Sequence, residues 1–264
     1  MGWFMGIDIG SAYSKGVIIT DSELVASHVI VSGANYRKSA DAIGAELIEK
    51  AKLTETDLSN TVATGAGADN VHFASQKASD IVCTSRGIHS VFPEARTVID
   101  VASQSARVIR LDEEGKVTNF TASEKCAGGS GRFIEVIANV LRISLSDFGP
   151  LSARSTNPIT FSTGCAVFGE SEAITRVSEG IPKEDIAAGV NKALADKISS
   201  LVKKVKLEVP CALCGGGALI AALVKTAEAE LGINLLVPPH PQLITALGAA
   251  ITARASTGSE LSKR

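Results

Sequence analysis

The chain has 264 residues, of which 45% are hydrophobic and 20% are charged, so we expect a globular protein with one large domain or two ordinary ones. Lys and Arg total 26 against 28 Asp and Glu, a formal charge of −2, and this balance excludes nucleic acid as an expected partner. Because no apolar run approaches ~20 residues and the first residues lack a signal-peptide pattern, we expect no membrane association and a cytoplasmic location.

Short runs rich in Ile and Val, separated by polar turns, dominate the first 122 residues and are typical of strands. We predict strands over residues 5–10, 15–20, 23–31, 61–65, 96–101, 106–111 and 116–122. Apolar positions at helical spacing also predict a helix over 38–52 and two helical pieces within 68–92.

The second half of the chain has a mainly helical pattern. We predict helices over 130–141, 168–178, 184–204, 218–231 and 243–255, strands over 209–214 and 234–238, a loop over 148–158 and a frayed tail from 259. The element order gives two similar α/β blocks, which indicates a duplicated architecture with a cleft between two lobes. We find this repetition in the order of elements and not in the residues themselves.

Domain boundaries follow from the same pattern. The N-terminal lobe is predicted over 1–98, and the C-terminal lobe, with both candidate cluster cysteines, over 99–241. The helix at about 242–256 is expected to pack back on the N-terminal lobe.

The segment DIGSAYSK, residues 8–15, joins two predicted strands. This excludes a P-loop or a dinucleotide-binding turn, since both require a following helix. Its residues still suit phosphate: Gly10 permits close backbone approach, the Ser11 hydroxyl can donate and Lys15 adds a charge. Asp8 can hold Mg²⁺ through water. The alternative is an ordinary hairpin.

Two later segments have features that suit the same ligand. Asp100 ends a strand, where polar side chains of α/β folds usually face a cleft, and Gln104 can orient a water for attack on a γ-phosphate. The glycines Gly215, Gly216 and Gly217 follow another buried strand and allow a flat ligand to lie against the backbone. The alternative for these glycines is a tight strand–helix turn.

Two of the five cysteines precede predicted helices in glycine-flanked stretches: Cys126 in KCAGGSGRFIE and Cys165 in FSTGCAVFGESE. A helix N-terminus stabilises a thiolate. A [4Fe–4S] cluster takes four thiolates, which two chains related by a twofold axis can supply in pairs. The alternative for either cysteine alone is a small buried apolar residue.

The other three cysteines suit structural positions better. Cys211 and Cys214 form a C-x-x-C motif, but in an apolar strand residues three apart point to opposite faces, so metal ligation by this pair is the lesser alternative. Cys83 is expected in the core.

The order of the Asp-x-Gly-Ser hairpin, the internal Asp strand and the Gly-Gly-Gly turn resembles the acetate kinase/sugar kinase/Hsc70/actin superfamily. Both cysteine motifs, with VATG at 62–65, SRG at 85–87, FPEARTVID at 92–100 and LGAA at 247–250, resemble the activator ATPases of 2-hydroxyacyl-CoA dehydratases and the ATPase subunits of benzoyl-CoA reductases. The resemblance implies an α/β, two-lobed, actin-like ATPase fold with duplicated ribonuclease H-like lobes and an interlobe nucleotide cleft.

The resemblance also implies an ATP-hydrolysing iron–sulfur electron-transfer protein. In that family each subunit of a dimer gives two cysteines to one shared [4Fe–4S] cluster, here Cys126 and Cys165. We expect a homodimer, with a heterodimer as the open alternative. ATP or ADP and Mg²⁺ are the other implied ligands, with Asp8, Asp100 and Gln104 as catalytic residues. Ferredoxin or flavodoxin is the implied electron donor, an iron–sulfur dehydratase or reductase is the implied acceptor, and the exposed cluster implies an anaerobic cell.

One segment departs from the family pattern Asp-Ile-Gly-Gly-Gln-Asp, because residues 100–105 read DVASQS. Ala102 and Ser103 can crowd the phosphates, and Ser105 in place of a carboxylate can weaken Mg²⁺ binding and slow ATP hydrolysis; the alternative is that they fill a similar turn. Two alternative functions remain open: a small-molecule kinase of the same superfamily, with Asp100 as base, and a nucleotide-binding iron–sulfur scaffold with weak hydrolysis.

Overall fold

The structure, a computed structural model, describes residues 2–123, 130–162 and 165–261, with side chains as far as Thr257. The chain forms two compact units. Unit 1 comprises Met1–Ala95, Leu111–Val117 and Gln242–Arg264, and unit 2 comprises Arg96–Arg110 and Thr118–Pro241. Among the described residues, no helix combines the length and apolar character that a membrane crossing requires.

Unit 1 is built on a five-stranded mixed sheet in the order β3-β2-β1-β4-β5. The strands are β1 (Trp3–Ile9), β2 (Tyr13–Ile19), β3 (Leu24–Val31), β4 (Leu58–Thr64) and β5 (Gln76–Lys77). Strand β1 is antiparallel to β2 and parallel to β4. Its two faces are both buried, as expected for a central strand whose run is almost entirely apolar.

Helices cover both faces of this sheet: α1 (Tyr36–Ala51) on one side and α2 (Asp80–Val91) with α8 (Ile244–Leu261) on the other. Because side chains alternate along a strand, Met5 and Ile7 pack with the α1 cluster, whereas Phe4 packs with the alanines of α8. Asn35 begins α1 by accepting a hydrogen bond from the Lys38 amide at 3.2 Å.

The packing of α2 on α8 requires glycines at the crossing point. A Cβ added at Gly248 would overlap the carbonyl oxygen of Cys83, and one added at Gly87 would overlap that of Ile244. We therefore expect Gly248→Val to lower the free energy of unfolding by about 1–3 kcal/mol, because the helices must separate. Urea denaturation measures the effect.

The matched control for this prediction is Gly33→Ala, since a Cβ at Gly33 meets only the Asn35 amide nitrogen at 3.9 Å. Equal unfolding midpoints for the two variants would contradict the proposed close approach of α2 and α8.

Unit 2 repeats the sheet plan of unit 1, in the order β10-β9-β6-β7-β8. The strands are β6 (Thr97–Val101), β7 (Ala106–Leu111), β8 (Val117–Ala122), β9 (Cys211–Cys214) and β10 (Leu235–Leu236). Strand β6 is antiparallel to β7 and parallel to β9, so it takes the place that β1 has in unit 1. The predicted α/β class with a duplicated architecture is confirmed.

The described residues of unit 2 also form the helices α3 (Gly131–Leu141), α4 (Leu145–Ser152), α5 (Ala166–Ser178), α6 (Lys183–Val205) and α7 (Ala221–Leu231). The long helix α6 buries one apolar face, which includes Ile186, Val190 and Leu194 at helical spacing. Phe133 and Phe148, from α3 and α4, are fully buried in the same cluster.

Helix α4 corrects the predicted loop over 148–158, whose first residues are helical. Ser144 caps the helix by accepting from the Asp147 amide at 3.2 Å, and Phe148 is buried. Pro150 removes a single ladder hydrogen bond from this short helix, and burial of the phenyl ring outweighs that cost.

Other element boundaries also differ from prediction. Only Asp80–Val91 is α-helical within 68–92, because Ala68–Asn70 forms a 3-10 turn and Gln76–Lys77 pairs with β4. Helix α8 continues to Leu261, past its predicted end at 255 and into the predicted frayed tail.

Candidate functional site

The first station, defined by Asp8, Lys15, Thr64 and Gly65, lies at the end of strand β1. Asp8 pairs in register with Lys15 on β2 and with Thr64 on β4. The Lys15 ammonium donates to Asp8 Oδ2 at 3.0 Å, and the carboxylate side chain is only 10% exposed. A buried carboxylate without a counter-charge is costly, and the Lys15 ammonium provides the counter-charge at this position.

Glycines close the turns around this first station. A Cβ at Gly10 would lie 2.6 Å from the Tyr13 carbonyl oxygen and 3.2 Å from Lys15 Nζ. Gly65 has φ +86°, and a Cβ there would overlap Asp8 Oδ1. Ser11 lies half-buried in the β1–β2 turn. The predicted strand–turn–strand setting of Asp8 is confirmed.

The second station, defined by Asp100, Arg107, Cys214 and Gly215, has the same plan at the end of β6. Asp100 pairs in register with Arg107 on β7 and with Cys214 on β9. The Arg107 guanidinium donates to Asp100 Oδ2 at 2.7 Å, and the carboxylate side chain is 3% exposed. Gly215 has φ +85°, and a Cβ there would lie 2.5 Å from Asp100 Oδ1.

The three consecutive glycines of the second station are not equivalent. A Cβ at Gly217 would lie 2.7 Å from Val101 Cβ, whereas one at Gly216 would meet nothing within 4 Å. The fold therefore requires glycine at Gly215 and Gly217, while Gly216 is open on its side-chain side.

Cys165 is the N-cap residue of α5 and is half-buried. Its carbonyl oxygen accepts from the Gly169 amide at 2.8 Å, and its side chain makes no capping hydrogen bond. The first amides of a helix lack partners within the helix and carry the positive end of its dipole. The N-terminus of α5 therefore suits a thiolate and an anionic cluster bound to that thiolate. Cys126, the other predicted ligand, lies outside the described residues.

The three remaining cysteines are fully buried in the two cores. Burial raises the pKa of the Cys83 thiol to about 11 and that of Cys211 to about 12. Burial, and then the Asp100 carboxylate, raise the pKa of Cys214 well above its ordinary value. Because the thiolate is the ligand form, these positions disfavour metal binding. Cys83 is confirmed as a core residue.

Within the parts of the chain that are described, no group of three or more His, Cys, Asp or Glu side chains converges. Cys165 is therefore not part of any such group among the described residues.

Comparison with known proteins decides the family. Residues 5–253 match the BadF/BadG/BcrA/BcrD ATPase family. The chain belongs to this ATPase family. It is 39% identical over 250 residues to the 2-hydroxyisocaproyl-CoA dehydratase activator of Clostridioides difficile, with 94% of each chain covered. It is 38% identical to the activator of lactoyl-CoA dehydratase of Anaerotignum propionicum, over 94% of this chain and 96% of that one.

The solved activator of the 2-hydroxyisocaproyl-CoA dehydratase from Clostridium difficile, with bound ADPNP, superposes with a TM-score of 0.95 at 36% identity, covering 99% of this chain and 98% of that chain. The predicted resemblance to dehydratase activators and the predicted actin-like ATPase fold are confirmed.

Backbone hydrogen bonds hold the turn at residues 102–105, which departs from the family pattern. The Ala102 amide donates to the Ser105 carbonyl at 2.9 Å, and the Gly131 and Arg132 amides donate to the Ala102 and Ser103 carbonyls at 2.9 Å each. Gln104 is exposed in this turn. Ala102 and Ser103 are thus accommodated without breaking the hairpin between β6 and β7, and the turn is tied to the start of α3.

Two residues that contact the two aspartates are not among the predicted site residues: Arg107, which pairs with Asp100, and Gly65, which lies against Asp8. The sequence analysis also finds the repetition in the element order alone. The structure corrects this, since Lys15 and Arg107 follow their aspartates by the same interval and Gly65 corresponds to Gly215. A basic residue at the same spacing after each Asp-x-x-Ser was the available signal.

Proposed function

We propose that this member of the ATPase family is an ATP-dependent electron-transfer activator. It hydrolyses ATP and passes low-potential electrons to an iron–sulfur partner enzyme of the 2-hydroxyacyl-CoA dehydratase or benzoyl-CoA reductase type. The observation that carries the proposal is the half-buried Cys165 thiol at the N-terminus of α5, in a chain 39% identical to a dehydratase activator along 94% of its length.

We propose that residues of the two stations bind Mg-ATP and take part in its hydrolysis. On this proposal Asp8 would hold Mg²⁺, Asp100 would be a further catalytic residue and Gln104 would orient the water that attacks the γ-phosphate. The Lys15 ammonium donates a hydrogen bond to Asp8. A cation bound to the carboxylate would compete with Lys15 and leave its ammonium available to phosphate. Gly10 and Ser11 offer a tight, partly exposed turn for the same phosphates.

The glycine run offers a test of nucleotide contact. Gly215→Ala should unfold more easily, because it requires a strained backbone and pushes on Asp100. Gly216→Ala should keep the stability of the parent protein, because its Cβ meets open space. If that space receives the nucleotide, the added methyl group should crowd it and weaken ATP binding about tenfold. Thermal melting and calorimetric titration with ATP measure the two effects. Unchanged ATP affinity in Gly216→Ala would remove this glycine from the proposed site.

Cys126 and Cys165 are proposed to hold the cluster together with the same pair from a second copy of the chain. When bound, the cluster supplies a one-electron carrier of low potential. Two exposed apolar side chains support the homodimer: Val167 and Phe168, 69% and 68% exposed, lie in the first turn of α5 beside Cys165. Their burial against a second copy would stabilise the assembly. Ferredoxin or flavodoxin is the proposed donor, in the cytoplasm of an anaerobic cell.

Anaerobic purification tests the proposal directly. We expect a brown dimer with about four irons per two chains and ATP hydrolysis that depends on Asp8. A colourless, iron-free protein that phosphorylates a metabolite would instead establish a kinase. A brown protein without ATP turnover would favour a nucleotide-binding iron–sulfur scaffold, which the altered turn at 102–105 would permit.

A further inference from the structure

Residues 159–162, which precede Cys165 in the chain, contact other residues of unit 2. Ile159 lies against Gly189 of α6, where a Cβ would come 2.7 Å from Ile159 Cγ1. Phe161 is buried and packs edge-on against Phe133, with ring centroids 5.3 Å apart. The backbone is therefore held firmly up to residue 161.

Ser162, the next residue, is held by one side chain of α5. Its amide donates to the Glu172 carboxylate oxygens at 3.0 and 3.3 Å, and its hydroxyl donates to Glu172 Oε2 at 2.7 Å. The Glu172 side chain is 13% exposed, and the Arg176 guanidinium lies 3.5 Å from it. Charge-assisted hydrogen bonds of this kind are stronger than neutral ones. Glu172 therefore holds Ser162, which precedes Cys165 by three residues.

We propose that Glu172 is the positioning residue for Cys165. The inference rests on the proposed function only in taking Cys165 as a cluster ligand. Glu172 holds Ser162, three residues before Cys165, and the Gly169 amide holds the Cys165 carbonyl at the start of α5. The thiol of Cys165 thus belongs to a residue that has a held residue close to it on each side in the chain. Groups that orient a metal ligand typically contribute 10–100-fold to metal retention.

The first experiment compares the release of iron to a ferrous chelator under anaerobic conditions. We expect Glu172→Ala to release iron at least ~10-fold faster than the parent protein. Ser162→Ala, which keeps the amide hydrogen bonds, should show a smaller increase. Glu172→Gln should restore slow release, since its amide oxygen still accepts from the Ser162 amide. Equal release rates for Glu172→Ala and an iron-loaded parent would overturn the proposal.

The matched control is Glu179→Ala. Glu179 also pairs with Arg176, at 3.3 Å, but makes no contact with Ser162 among the described hydrogen bonds. Its release rate should equal that of the parent protein. A faster release from Glu179→Ala would assign the effect to Arg176 rather than to the hydrogen bonds of Ser162, and would also overturn the proposal.

A second measurement separates this inference from the proposed function. In the iron-free protein, mass spectrometry follows alkylation of Cys165 by iodoacetamide. We expect Glu172→Ala to change the alkylation rate of Cys165 several-fold and Glu179→Ala to leave it unchanged. If the parent protein binds no iron, the proposed function fails, and this rate alone decides whether Glu172 positions Cys165. If Glu172→Ala does not fold, Ser162→Ala must change the alkylation rate of Cys165 relative to the parent protein, and an unchanged rate overturns the inference.

Discussion

Replacing Cys165 with alanine is expected to reduce the iron content of the anaerobically purified protein to background while ATP binding persists. In a symmetric dimer the single change removes two of the four thiolates that a [4Fe–4S] cluster takes. The helix itself should survive, because the Cys165 side chain makes no capping hydrogen bond and the Gly169 amide bonds to its carbonyl. Iron analysis, visible absorption and calorimetric titration with ATP give the three readouts.

The matched control for this variant is Cys83→Ala. Cys83 is fully buried in unit 1 and burial holds its thiol protonated, so its removal should cost some stability and no iron. Cys126→Ala should behave as Cys165→Ala does. Full iron content in both Cys126→Ala and Cys165→Ala would show that other residues bind the iron.

The strands of both sheets could be predicted because their signal is local. Strand β7 is observed at Ala106–Leu111, as predicted, and β6 begins one residue inside its predicted range. Runs of Val and Ile bounded by glycines and polar turns need no tertiary information. Strand β5 carries no such signal: Gln76 and Lys77 are exposed and join the sheet only through backbone pairing with β4.

Helix α4 and the second station show why the rest could not be predicted. Pro150 and Gly149 lower local helix propensity, and only the buried surroundings of Phe148 decide in favour of the helix. Arg107 lies in an apolar strand pattern, and only its spacing from Asp100, which equals the spacing of Lys15 from Asp8, marks it in the sequence. Its role depends on the register that places β7 beside β6 and brings its guanidinium to Asp100. Register between strands is fixed by the whole sheet, and a residue list does not reveal it.

Replacing Arg107 with methionine is expected to lower the free energy of unfolding by about 3–5 kcal/mol, because it leaves the Asp100 carboxylate buried without its guanidinium partner. Asp100 is 3% exposed as a side chain and Arg107 is 13% exposed, so water cannot replace the lost contact. Urea denaturation measures the change. The same variant should lose ATP turnover if Asp100 is a catalytic residue for ATP hydrolysis.

A double-mutant cycle identifies the cause of this loss. Adding Asp100→Asn to Arg107→Met removes the unpaired charge, so the double variant should regain part of the lost stability without regaining turnover.

Lys192→Met is the control for loss of a positive charge: its i,i+4 contact with Asp196, at 3.2 Å between side chains about half exposed, should be worth at most ~0.5 kcal/mol. If Arg107→Met and Lys192→Met have equal stability, the Asp100–Arg107 pair does not hold unit 2 together. If the double variant is as unstable as Arg107→Met, the loss comes from packing of the arginine side chain rather than from the buried charge.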